Sequence, residues 1–289
     1  MNLIIALKYY LEKSNEPPSR RIRFIVRSFL NFHTCNTWYS YIIRNLKNSN
    51  TQFVNNLFEQ LHRKHFDSRL NVKQVSDLLI NHYTLLQIKT STQTFIQLTE
   101  LKEVCLAKVK GKLNSYYITL GIDFQFSKEG NLALKLYKNN IRLVCISFSL
   151  AYIDTKEAML IGCIQSTNQN TLENLRQSTK DLYGKQPRLL LIKAIQLISN
   201  KWNLKTIKAI DTKNHPYKTS KSKSERIQID YADLWKLLGG TITDDGNYFL
   251  PNKFELKNIQ MCRVNKRAQF KQQNELLLNL QKQINLSHL

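Results

Sequence analysis

Through the first hundred positions, apolar residues recur three and four apart. RRIRFIVRSFLNF carries Ile22, Ile25, Val26, Phe29 and Leu30 in that rhythm, and TQFVNNLFEQLHRKHF and VKQVSDLLINHYTLL repeat it. This is the spacing of one face of an α-helix. Residues 1–105 are therefore expected to be helical, with Pro17-Pro18 separating the first helix from the second. The basic residues and the histidines His62 and His65 are expected on solvated faces.

From about residue 113 the period shortens to two. LNSYYITLGIDFQFS, LALKLYKN, IRLVCISFSLAYI and AMLIGCIQ read as strands of an antiparallel meander joined by KEGN and DTKEA, which have hairpin-turn chemistry. Gly121 and Gly162 are candidate bulge or close-approach positions. TLENLRQSTKDLYG then reads as a helix stopped at Gly184, and Pro187 opens RLLLIKAIQLISNKW, apolar around most of its girth and so expected to be central and buried. KTIKAID is a short strand, YADLWKLLGG a helix ending at glycine, and TITDDGNYFLP a closing hairpin around Asp245-Gly246. The class is α+β: a helical region at 1–105, a sheet core with flanking helices at 106–255, and a basic packing or partner helix at 256–289.

Composition narrows the chemistry. The 289 residues hold 43 Lys+Arg against 21 Asp+Glu, a net charge of +22, so an anionic partner is expected: a CoA-like cofactor, RNA or tRNA, or an anionic lipid headgroup. Cys35, Cys105, Cys145, Cys163 and Cys262 are odd in number and never in CxxC spacing, which argues against a disulfide framework or zinc site. The apolar start of MNLIIALKYYLEK is short and followed by charges, and no apolar run reaches the length of a membrane span. A cytoplasmic place is expected, free or peripheral at the inner membrane.

IGCIQ, LYGKQPRLLL, NHPYK, DYADLWKLLGG and FLP, in that order, resemble the VirK/YbjX proteins of Gram-negative bacteria over roughly residues 60–255. The chain departs from them at Ser166, Gln186 and Ala232. The resemblance implies a link to envelope homeostasis, virulence and resistance to antimicrobial peptides, and leaves the reaction unassigned.

The element order is in turn similar to the core of GNAT-type acyltransferases, a fold-level analogy. It implies an acyl-CoA or other acylated donor, such as an aminoacyl-tRNA, held beside a splayed strand and a helix N-terminus. On that reading Lys185, Arg188, Lys218, Arg226 and Gln165 are candidate cofactor contacts. His215 and Tyr217 are candidate proton-transfer residues, and Tyr231 is a candidate substrate contact. No metal set is expected, Cys163 reads as core, and Lys218 to Arg226 read as a basic lid. The competing class is a non-enzymatic protein that binds RNA or an anionic membrane, with Tyr116, Tyr117, Phe124, Phe126 and Tyr137 as a stacking surface.

Overall fold

In a computed structural model, residues 3–14, 16–166, 171–219 and 230–289 are described. The alternating segments form one eight-stranded sheet in the order β1-β2-β3-β4-β5-β6-β8-β7. Its strands are β1 (Val104–Lys110), β2 (Ser115–Gly121), β3 (Leu132–Lys138), β4 (Ile141–Ile153), β5 (Lys156–Ser166), β6 (Thr206–Ala209), β7 (Thr241–Ile242) and β8 (Tyr248–Leu250). All neighbours run antiparallel except β5 and β6, which are parallel. The meander therefore has five strands, more than the three or four that its sequence pattern suggested. The extra one, β1, is a lysine-laced edge strand whose side-chain alternation is broken by a register shift after Cys105.

The turns follow from local chemistry. Asn139-Asn140 and Asp154-Thr155 take positive φ between β3, β4 and β5, the left-handed pair that a two-residue hairpin needs. Gly246 at φ +75° turns the β7–β8 hairpin. KEGN is different. It ends a longer connection through residues 122–131 that folds back over the sheet, and Glu129 and Asn131 are buried in it.

Six helices precede the sheet: α1 (Leu3–Lys13), α2 (Pro18–Leu30), α3 (Phe32–Asn45), α4 (Thr51–Gln60), α5 (Val72–Lys89) and α6 (Thr92–Thr99). Asn50 caps α4, and Asn71 with Gln74 forms a reciprocal capping box on α5. After β5 come α7 (Thr171–Asp181) and α8 (Pro187–Lys201), then α9 (Tyr231–Leu237) and α10 (Val264–Leu286). Gly184 sits at φ +82° between α7 and α8, and Pro187 opens α8, as their residue types require.

The sheet is covered on both faces. Leu160 packs with Leu78 of α5, whereas its neighbour Ile161 faces Ile192, Ile195 and Gln196 of α8. The tail helix α10 packs inward, burying Leu276, Leu277, Leu280 and Ile284. Its Gln283 side chain bonds the main chain of Lys108 at both N and O (2.7 and 2.6 Å), occupying part of the β1 edge. Lys201 closes the C-terminal end of the same helix by donating to the carbonyls of Ile284, Asn285 and Ser287.

In α2 only Phe24 and Ser28 are buried, so the rhythm of Ile22, Val26 and Phe29 faces outward. One expectation for the helical region is corrected: His62 and His65 do not lie on solvated faces. α4 ends before them, His62 Nε2 lies 2.9 Å from the Tyr39 hydroxyl, and His65 is fully buried between Ser127 O (2.8 Å) and Asn131 Oδ1 (2.9 Å). Asn131 also reaches Gln60, Tyr83 and Ser149. This network pins the 122–131 connection under α4 and α5. His82, also buried, accepts the Leu150 N–H at Nδ1 (3.0 Å).

Burial holds His62 and His65 at about 4 and His82 at about 3. These values lie below those of the unfolded chain, so unfolding takes up protons first. Stability is full above pH ~6.5 and is lost as pH falls towards the folded values. Urea unfolding at pH 7.5 and pH 5 should differ by about 2 kcal/mol per histidine, and His62→Gln should reduce the difference by that share. At Gly162 a Cβ would come 1.6 Å from Glu129 O. Gly162→Ala should cost about 3 kcal/mol or more in the same assay, the upper range of overpacking.

Candidate functional site

β5 and β6 pair only from Ala158–Ile161 to Thr206–Ala209, with one further bond from Ile210 N to Ile161 O (3.0 Å). Beyond that point the two parallel strands part. β5 runs on to Ser166, while the chain after β6 turns away through residues 210–218. Gly162 is the extra residue where β5 shifts register against β4 between Cys163↔Ser147 and Ile161↔Phe148. The bulge bends the strand as it leaves its partner. The main chain of Glu129 fills the space that a side chain at 162 would occupy.

The polar groups in this splay meet at the Glu129 carboxylate. Gln165 Nε2 donates to Glu129 Oε1 (3.0 Å), and His215 Nε2 lies 3.1 Å from the same oxygen without its N–H being well aimed at it. Glu129 and His215 are each 1% exposed. His215 Nδ1 accepts the main-chain N–H of Tyr217 (3.3 Å), so the proton of a neutral ring sits on Nε2, facing the carboxylate. The second carboxylate oxygen, Oε2, is buried and has no hydrogen-bond partner among the described residues. A buried acceptor left open is uncommon in a purely structural cluster.

Aromatic rings wall the cluster. Tyr217 lies 5.4 Å from the His215 ring, Tyr231 stacks on that ring at 5.8 Å, and Trp235 stacks on Tyr231 at 5.6 Å. Trp235 donates to Ile210 O (2.7 Å) and is core. Burial, then the nearby Cys163 and Glu129, push the Tyr231 phenol well up, and the main chain of Ile164 hydrogen-bonds its hydroxyl. Ile164 lies on the stretch of β5 that no longer faces β6. Burial, followed by Glu129, also pushes the Cys163 thiol well up, which leaves it a poor nucleophile.

The loop that carries His215 is held on three sides. Asn247 Oδ1 accepts from Asp211 N and Asn214 Nδ2 (3.0 Å each), and Asn247 Nδ2 donates to Asp67 Oδ2 (3.2 Å). Ser68 N donates to Asn214 O (2.8 Å), and Arg69 Nε to Asp67 Oδ1 (2.9 Å). Imidazole placement thus depends on residues from α4–α5, β6 and the β7–β8 hairpin.

On the α8 side of the same strand pair lies a cavity of about 160 Å³ lined by Ile161, Ile207, Ile192, Leu250 and Lys185. Burial, then the charges of Lys257 and Lys193, lower the Lys185 ammonium to about 8. Lys193 Nζ bonds Gln196 Oε1 (2.9 Å). Lysines that raise each other's cost of charging are relieved by an anion.

Of the residues singled out from sequence, Gln165, His215, Tyr217 and Tyr231 come together, and Lys185 enters the neighbouring cavity. Arg188 and Lys218 are exposed. Arg226, with most of the expected basic lid, lies outside the described residues. Tyr116 and Phe126 of the expected stacking surface are core, Tyr116 donating to Asp181 (2.7 Å). Glu129 went unnoticed in the sequence because KEGN reads as turn chemistry. Among the described residues no three metal-ligating side chains converge, and no helix is long and apolar enough to cross a membrane.

Comparison with known proteins places these features in context. The chain is 29% identical to the uncharacterized protein YbjX of Escherichia coli strain K12 over 232 residues, 78% of this chain and 70% of that one. It is 22% identical to an uncharacterized protein of Haemophilus influenzae over 214 residues, 73% of this chain and 70% of the relative. No solved structure matches significantly. The model of a family described as protein of unknown function, DUF535, matches residues 13–286, nearly the whole chain, splay and cavity included, and the chain belongs to that family.

Proposed function

We propose that the protein is a GNAT-like transferase that moves an acyl or aminoacyl group from a nucleotide-bearing donor to an amine. The observation that carries this reading is the parting of β5 and β6 beyond Ile161 and Ala209, with a buried carboxylate, a histidine and two tyrosines set into the opening. A sheet order ending β5-β6-β8-β7, with the parallel pair joined through helices, supports it as a likeness of fold.

Each part of the opening has a role in acyl transfer. The Tyr231 hydroxyl, whose oxygen receives the Ile164 main-chain N–H, donates its own O–H to the carbonyl that is polarised. Glu129 Oε2 takes the proton of the attacking amine as the C–N bond forms, while Gln165 and His215 hold Oε1 in place. With the Nδ1 lone pair of His215 engaged by Tyr217 N, the base role expected for the histidine passes to the glutamate and the histidine positions it. Tyr217 gives its proton to the thiolate or alkoxide that leaves as the old acyl bond breaks. Lys185, with Lys193 and Lys257 near it, meets the donor's phosphates.

Calorimetry of the full chain against acetyl-CoA, longer acyl-CoAs and aminoacyl-tRNA tests this. Saturable binding of one donor is expected, and Lys185→Ala should weaken it about tenfold, the loss of one charge-assisted contact. Glu129→Gln should still bind that donor and fail to transfer its acyl group to a supplied amine. Absence of heat with every donor class would overturn the reading.

A further inference from the structure

The outward face of α2 is unlike that of an ordinary surface helix. At 3.6 residues per turn, Ile22, Ile25, Val26, Phe29 and Leu30 form one broad stripe, and the seam that holds the helix to the protein, Phe24 and Ser28, lies on the opposite side. The stripe is open to solvent: Ile22 is 62% exposed, Phe29 53% and Leu30 78%. It continues onto α1, where Ile4 and Ile5 are exposed. Ile4, Leu7 and Leu11 of α1 face Ile25 and Phe29 across an apolar groove of about 430 Å³. Single exposed aliphatic residues need no explanation, but a contiguous patch of this kind marks an interaction surface.

Charge selects the occupant. Residues 1–50 contain eight Lys or Arg and only two acidic residues, Glu12 and Glu16. Both acids are engaged in i,i+4 pairs, Glu12 with Lys8 (4.0 Å) and Glu16 with Arg20 (2.9 Å). Arg23 and Arg27 have no carboxylate partner among the described residues, and helical geometry puts them on the flank of the stripe beside Leu30. A bulky aliphatic stripe edged by unpaired arginines is the pattern of a helix that lies in the plane of an anionic bilayer, its apolar side in the acyl boundary and its cations at the phosphates.

We infer that α1 and α2 form a docking surface for an anionic lipid bilayer, with Ile22, Val26, Phe29 and Leu30 as the inserted residues and Arg23 and Arg27 as the phosphate contacts. The attachment is reversible and in-plane. It faces away from the seam through which α2 joins the protein, so the rest of the fold stays on the aqueous side.

Flotation of the full chain with phosphatidylcholine vesicles, with and without phosphatidylglycerol, tests the inference. Wild type should float with the anionic vesicles, stay behind with the neutral ones, and be released by high salt. Val26→Asn/Phe29→Asn leaves the net charge untouched and should abolish flotation. Arg23→Gln/Arg27→Gln should lower partitioning about thirtyfold, each arginine near the surface counting for roughly fivefold. These positions are exposed, and unchanged thermal melts would show that the variants fold. Flotation of Val26→Asn/Phe29→Asn equal to wild type would overturn the inference, because the general +22 charge would then account for binding. So would a wild-type dimer in ultracentrifugation that this variant abolishes and that shows no vesicle association, because the occupant would then be a second copy.

Discussion

The contact between the Glu129 main chain and Gly162 organises the site. A strand that must pair with β6 at one end and leave it at the other needs a local break, and the bulge at Gly162 provides one. The Glu129 carbonyl occupies the volume that any side chain there would claim, so the 122–131 connection can be pressed against the sheet only if residue 162 is glycine. That placement brings the Glu129 carboxylate to the same opening, where Gln165 and His215 meet its Oε1. The wedge is held from behind by the Asn131 network of Gln60, His65, Tyr83 and Ser149. The helical region therefore reaches the site through polar bonds as well as through core packing, and acid weakens that support by charging the buried histidines.

The site joins two environments on opposite faces of one strand pair. Adjacent residues of β5 illustrate the division: Leu160 looks towards α5, while Ile161 lines the cavity that Lys185 also lines. On one side a carboxylate is buried with an open oxygen, and on the other burial and neighbouring lysines lower the Lys185 ammonium to about 8. A lysine lowered by burial inside a cleft marks a candidate functional site.

Much of the fold was legible in the sequence because local signals agreed with the global arrangement. Gly184 and Pro187 mark the α7–α8 joint, Asp245-Gly246 turns the last hairpin, and the apolar girth of α8 announces a central helix. Gln165, His215, Tyr217 and Tyr231 were singled out from strand ends and from the resemblance, and they do converge. What stayed hidden depends on long-range packing. Periodicity shows that α2 has an apolar face but not which way that face points, and Phe24 with Ser28 form too narrow a seam to be read as the buried side. His65 looks like part of a basic surface run until Ser127 and Asn131, more than sixty residues away, enclose it. Glu129 sits in a stretch with turn composition, and only the close approach at Gly162 reveals why it is buried.

The most direct test of the central claim is the nitrogen NMR signature of His215 in the full chain, selectively labelled at histidine, with and without acetyl-CoA. The structure predicts an imidazole with its proton on Nε2 and Nδ1 accepting, and a resonance that moves when the donor fills the splay while the surface His33 stays still. A ring protonated at Nδ1 instead, or a His215 resonance that does not respond to a donor shown by calorimetry to bind, would contradict the account.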